Sequence, residues 1–538
     1  MPSKKHKSKN QSGRNAQAAA PAAAQPYLVH HTLVTYYLCA MFSIFTLFLS
    51  RSDYSKARHD KFYLYLALSG VMVLGAGVSY AIHYMEQNRV KRSLNPFFRP
   101  LSVTDGAFLC FILFALISTV ASKYSPGTWI AEFGRNNGML LLLFYLAVYL
   151  MISRLYVYKD YVIAIFLIAS CLVALLTVLN FFYIDPLGLL EGYKGTQYEA
   201  DFGSTIGNKN TIASYMAMFL PVAMMTLVLN QKRYMRIIAG VSIVFAYTGA
   251  LSANSSSVFL GMFIDLPVMA IFCAQRYDRL MRYLLALTVL FASGKLLRLF
   301  SYALDGYNKG YESLQHYLIY DKMMYLPIVV CGALTLAMFL LRDRLNPRYP
   351  AKVLTVTLIS LTGLGVAGML GAVLYYSLID TTTPLGSMEK LLRFNDAWGT
   401  HRGIMWNRSM DEYGRFGSFQ KLFGAGPDTA YYVLQPHFED LKAYGNDSTN
   451  CAHNEFINYL ITQGALGLLS YLMILGGVCV RAFRRAKNNP LVLVFISAVI
   501  CYAVQSIVNI YQPITTPLFF LFISMTEALN RQTLISKR

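Results

Sequence analysis

A helix that crosses the hydrocarbon of a bilayer needs about 20 mostly apolar residues. This sequence supplies such runs along nearly its whole length. Fourteen stand out, at 33–50, 62–85, 105–122, 138–153, 161–182, 211–229, 237–251, 257–273, 283–300, 323–341, 353–378, 455–480, 491–508 and 514–530. Inside lipid every backbone N–H and C=O must be satisfied within its own segment, so helices are the economical solution for runs of this length. The expected fold class is an all-α polytopic membrane protein of about 12–14 transmembrane helices.

Composition closes the alternatives. Hydrophobic residues make up 56% of the 538 and charged residues only 14%, against roughly 25% charged in soluble domains. That excludes an ordinary cytosolic enzyme, and the high hydrophobicity excludes a disordered chain. The net charge of +20 invites a nucleic-acid reading, but the cations sit in short loops between apolar runs, so no nucleic-acid partner is expected. Seven of the eight cysteines lie in or beside apolar runs, and only Cys451 stands in a long polar loop. With no CxxC and no metal-ligand spacing, they read as small hydrophobes and no metal site is expected.

Lys and Arg favour one set of alternate short loops, which places both termini in the cytoplasm. Residues 1–30, Lys-rich and then Ala-rich, read as a disordered cytoplasmic tail. Helices 1–11 occupy 31–378, a large extracytoplasmic loop spans 379–454, and helices 12–14 with a short tail fill 455–538. Short helices are expected in the loop at 387–395 and 401–413. Long loops are uncommon unless they carry function. All three tryptophans, Trp129, Trp398 and Trp406, fall in outside segments, as an interfacial belt or as platforms for sugar rings.

The residues fit for chemistry gather in the same segments. The long loop ends CAHNEFINYLITQGALG, placing His453 and Asn454 at the mouth of the twelfth helix, with Gly464 and Gly467 inside it. Imidazole suits general-base work near neutral pH, and the glycines permit close packing. Upstream, Arg402 lies in WGTHRGIMWNRS, and Gly424, Gly426 and Pro427 form a turn in LFGAGPDT. Arg binds phosphate through a planar two-pronged fork. Gly207-Asn208-Lys209-Asn210 runs into the sixth helix, a plausible anion cradle. Glu132 and Arg135 flank Phe133-Gly134, and Ser255-Ser256-Ser257 precedes the eighth helix as a cap or a set of donors. Together these place one base and several cations at the outer face, which suits a pyrophosphate-linked lipid handled where ATP is absent.

In these motifs the chain resembles the bacterial O-antigen ligase and O-antigen polymerase superfamily of membrane glycosyltransferases. His453-Asn454 with Gly464 and Gly467 is similar to the family's His-Asn motif at the end of its large extracytoplasmic loop. Gly424-x-Gly426-Pro427 resembles its Gly-x-Gly-Pro turn, and Arg402 with Trp406 its Arg-and-Trp motif. Gly207-Asn208-x-Asn210 and Gly134-Arg135-x-x-Gly138 are similar to recurrent family features. The resemblance covers about 130–480. It implies a metal-independent, inverting transfer without cofactor, from a glycan on undecaprenyl pyrophosphate to a glycan, lipid or wall-polymer acceptor. His453 would take the acceptor proton, and Arg402 and then Arg135 would stabilise the leaving pyrophosphate. Asn208, Lys209, Asn210, Asn454 and Trp406 would contact substrate. Two departures stand out. Ser255-Ser256-Ser257 replaces the usual Ser-Arg pair, leaving Lys209 or Arg135 to substitute, and fourteen runs exceed the usual dozen or so. A glycan-repeat polymerase is the nearest alternative. A lipid-linked glycan flippase is the more distant one, since ionisable residues within the runs are few, chiefly Asp265, Lys295 and Arg298.

Overall fold

The computed structural model describes residues 28–48, 54–88, 97, 100–131, 133–196, 199–304, 306–445 and 449–535. The N-terminal tail expected over 1–30 falls almost wholly on residues 1–27, outside the described residues, as does Glu132. The chain is an all-α polytopic membrane protein.

Each of the fourteen apolar runs corresponds to a helix. They are α1 Val29–Ala40, continued by a π turn at Met41–Phe45, α2 Tyr54–Asn88, α3 Val103–Ala121, α4 Met139–Leu155, α5 Asp160–Phe181, α6 Lys209–Leu229 and α7 Arg233–Ser252. There follow α8 Ser257–Cys273, α9 Tyr277–Ala303, α10 Tyr325–Leu340, α11 Ala351–Leu378, α12 Glu455–Arg485, α13 Val492–Gln505 and α14 Thr516–Ile535. Among the described residues nine helices are long and apolar enough to cross a membrane, and α1, α4, α8 and α13 are shorter apolar helices. The seventh run is extended at its start because Arg233 and Arg236 join the helix. Hydropathy stops at such residues, but their long stems can lie along apolar surface while the charge reaches water.

The helix α6 is the hub. It packs against α7, α8, α9 and α13, and its apolar window is buried throughout. Hydrophobic burial does not distinguish protein from lipid here, so polar seams carry specificity. Ser170 and Tyr215 share a hydrogen bond of 2.6 Å, Ser214 donates to Gln505 at 3.3 Å, and Asn509 donates to the Asn210 carbonyl at 2.8 Å. Such interhelical bonds contribute about 0.6 to 2 kcal/mol each in a membrane.

The two ends of the bundle differ. At one, buried Asp105 accepts from Tyr149 at 2.7 Å and pairs with Arg154 and Arg531, while Arg481 pairs with Glu527 at 2.5 Å. At the other, loops interlock. Asn137 donates to the Tyr511 carbonyl at 3.0 Å, the Lys309 N–H to the Phe181 carbonyl at 3.0 Å, and the Glu312 N–H to Asn254 at 2.8 Å. A two-residue antiparallel pair, Phe202–Gly203 with Gly207–Asn208, leads into α6 at this end. The long loop also closes here, with short helices at Glu389–Leu392 and Trp398–Arg415.

Candidate active site

The site is organised by a break in a helix. At Gly464 the α12 backbone leaves helical geometry (φ 72°, ψ −177°), which frees carbonyls that lipid cannot satisfy. The turn at 424–426 takes them up. Ala425 N–H donates to the Ile461 carbonyl at 3.1 Å and Gly426 N–H to the Thr462 carbonyl at 2.9 Å. Ser118 of α3 also donates to the Thr462 carbonyl, at 3.0 Å. The approach is backbone against backbone. A Cβ on Gly464 would lie 2.3 Å from the Leu422 carbonyl, and one on Gly424 2.3 Å from the Gln463 nitrogen. Gly464 therefore admits the backbone at the end of the short helix Ser418–Phe423, a closer approach than side-chain packing between helices allows.

The docked turn presents Asp428. Its backbone is left-handed (φ 59°), a conformation that Asp adopts more readily than most residues. Its buried carboxylate accepts the Arg135 N–H at 2.6 Å and the Asn137 N–H at 3.0 Å. The segment around Gly134 wraps the carboxylate so tightly that a Cβ there would stand 2.5 Å from Oδ2. Burial pushes the Asp428 carboxyl up to about 6 against the opposing pull of these two N–H donors and of Arg135.

The same wrap fixes Arg135, whose Nε donates to Asn450 Oδ1 at 2.8 Å. Three residues on, His453 is held with φ 49°. On its upstream side Thr449 donates to the Cys451 carbonyl at 2.9 Å, and the Ala452 N–H donates to Asn458 at 3.1 Å. On its downstream side Asn454 caps α12, accepting from the Phe456 and Ile457 N–H groups at 2.9 and 3.1 Å. Strained backbone of this kind persists where surrounding structure enforces it, often at functional sites.

Arg402 arrives from the helix Trp398–Arg415. Residues 399–401 are left-handed, and Gly403 is obligatory, because a Cβ would overlap the Asn395 carbonyl at 1.8 Å. Among the described residues no carboxylate lies within ion-pair distance of Arg402. Burial lowers its guanidinium pKa, with Glu312 opposing, but guanidinium stays charged at any physiological pH.

His453 feels both arginines. Burial first, then Arg135 and Arg402, lower its imidazole from 6.5 to about 3. The neutral, proton-accepting form thus holds at physiological pH. An anion placed between the two cations would cancel part of their field and raise the basicity of His453.

The other sequence-derived candidates have local duties. Asn208 caps α6 by accepting the Asn210 N–H at 2.9 Å, and Asn210 Oδ1 accepts from Ser255 at 2.8 Å. Lys209 pairs with Asp201 at 3.0 Å and Glu312 at 3.6 Å, so its charge is balanced within the protein. Trp406 packs against Phe394 and Trp398 with centroid separations of 5.9 and 4.9 Å, inside a small core with Ile404, Met405, Leu434 and Leu441. Among the described residues its buried indole N–H has no hydrogen-bond partner.

Sequence reasoning missed Asp428, Asn450 and Glu312. An acid immediately after a Gly-x-Gly-Pro turn was the available signal for Asp428. Comparison with known protein families finds no match to this chain, and comparison with curated proteins finds none.

Proposed function

We propose that this protein is a membrane glycosyltransferase of the O-antigen ligase type. It would move a glycan from an undecaprenyl-pyrophosphate donor to an acceptor hydroxyl on the extracytoplasmic face of a bacterial plasma membrane. The observation that carries the reading is the convergence of a neutral buried imidazole, His453, with two guanidinium groups, Arg135 and Arg402, from separate loops.

In this mechanism His453 accepts the proton of the acceptor hydroxyl. The freed oxygen electron pair forms the new bond to the anomeric carbon. The bond from that carbon to the pyrophosphate oxygen breaks on the opposite face, so the configuration inverts. Undecaprenyl pyrophosphate leaves with the bonding pair, and Arg402 and Arg135 stabilise its charge. The pyrophosphate also restores basicity to His453 by offsetting the two cations, so the base strengthens only when the donor is in place. The proton on His453 then passes to solvent.

The test is mass spectrometry of undecaprenyl-linked glycans in the native host, comparing wild type, a deletion, and the deletion carrying His453→Ala. Both mutants are expected to accumulate the same lipid-linked species. Long chains would mark a ligase and single repeats a polymerase. A normal pool in the His453→Ala strain would contradict the proposal.

A further inference from the structure

The end of the bundle away from His453 carries a second feature. Between α9 and α10 lies an apolar groove of about 280 Å³, lined by Met281, Leu285, Gly332, Leu336 and Phe339, with Arg282 on its wall. Arg282 Nη1 donates to the Val228 carbonyl at 3.1 Å. Val228 lies in the last turn of α6, whose first residue, Lys209, stands among the loops of the candidate site. A 21-residue helix at 1.5 Å per residue separates the two by about 30 Å.

Arg282 does not stand alone. Arg279 and Arg282 stand three residues apart near the start of α9, so they are neighbours on its surface, and Arg276 is the extended residue just before the helix. The charges of Arg276 and Arg236 bear on Arg282, with Asp278 opposing them. Asp278 is engaged by Arg276 at 3.0 Å, and among the described residues no carboxylate pairs with Arg236, Arg279 or Arg282. The cluster is therefore self-repelling, and it adjoins an apolar slot within a membrane bundle. That combination complements one chemistry, an anionic headgroup attached to an acyl chain. The slot has room beside Gly332, where a Cβ would make only ordinary contact with the Thr288 side chain, 3.5 Å away.

We propose that the α9–α10 groove binds an anionic phospholipid, its phosphate on Arg236 and Arg282 and an acyl chain along Gly332 and Leu336. This site is independent of the glycan-transfer reading.

The experiment uses purified, delipidated full-length protein. Its thermal midpoint and its lipid adducts in native mass spectrometry are measured with phosphatidylglycerol, phosphatidylcholine or glycerol 3-phosphate. Phosphatidylglycerol is expected to raise the midpoint and remain bound, and the other two to have little effect. An Arg236→Gln, Arg282→Gln double variant should retain phosphatidylglycerol about 30-fold more weakly, since each basic group near an anionic lipid contributes roughly 1 kcal/mol. Gly332→Leu, which fills the slot without touching charge, should also lose the adduct. Equal stabilisation by phosphatidylcholine, retention by both variants, or a full shift with glycerol 3-phosphate would each overturn the proposal.

Discussion

The helices α6 and α11 have the same mean hydropathy, yet the window of α6 is entirely buried in the protein and that of α11 not at all. Their apolar content is satisfied equally by lipid or by neighbours, so it cannot decide which helix goes inside. Polar and small residues decide. In α6, Asn210, Thr211 and Ser214 bond across to Asn509, Gln512 and Gln505. In α11, Thr362 bonds only to the Leu358 carbonyl one turn earlier, and Gly363, Gly365, Gly368 and Gly371 face open space. The candidate site is built on α12, whose window is only one third buried, and its break is fixed from several sides by the turn at 424–426 and by Ser118 of α3.

The contrast can be broken at its strongest point first. Gly464→Ala sets a Cβ into the docked turn at a left-handed position. It should cost more than the roughly 1–3 kcal/mol of this essentially Gly-only backbone alone, and it should abolish transfer activity while the protein still inserts. Near-normal turnover in a reconstituted assay would mean that the broken helix does not hold the site. Arg402→Lys keeps the charge and loses the fork, with an expected fall in kcat of about 10²–10³-fold. A rate close to wild type would reduce Arg402 to a headgroup contact.

The next effect is one of pH. Asp428, raised to about 6, is a carboxylate above that pH and takes up a proton below it, weakening its hold on the Arg135 segment. His453, lowered to about 3, stays neutral in the free protein throughout this range. The acid limb of kcat/KM should therefore fall near pH 6 and belong to Asp428. Asp428→Asn should give a lower profile that is flat across that limb. If the limb survives the substitution, Asp428 is not its source.

The smallest effect compares the two helices directly. Ala217→Leu overpacks the buried α6 and should destabilise by about 1–3 kcal/mol. Gly368→Leu in α11 should be neutral or slightly stabilising, because Gly disfavours a helix interior by about 1 kcal/mol. Thermal unfolding of both variants in detergent decides. Equal losses would mean that α11 is packed against something in solution.

The membrane fold was readable because its signal is additive: twenty apolar residues announce a helix wherever it ends up. The site was readable in part. His453 and Arg402 stand out as chemically capable groups in polar segments, and in the structure the charges of Arg135 and Arg402 both bear on His453. Asp428 was hidden because its role depends on backbone N–H groups almost 300 residues away in sequence, at Arg135 and Asn137. Lys209 illustrates the converse. Its position before a helix suggests a free cation, but Asp201 and Glu312 balance it only once the loops are folded together.

The most direct test reconstitutes the purified protein in liposomes with an undecaprenyl-pyrophosphate-linked glycan and an acceptor, and follows release of undecaprenyl pyrophosphate alongside donor binding. The account predicts release with inversion at the anomeric carbon in wild type. It predicts undiminished binding with release lower by about 10²–10⁴-fold in His453→Ala, the range expected for losing a general base. Release by His453→Ala at the wild-type rate would contradict it.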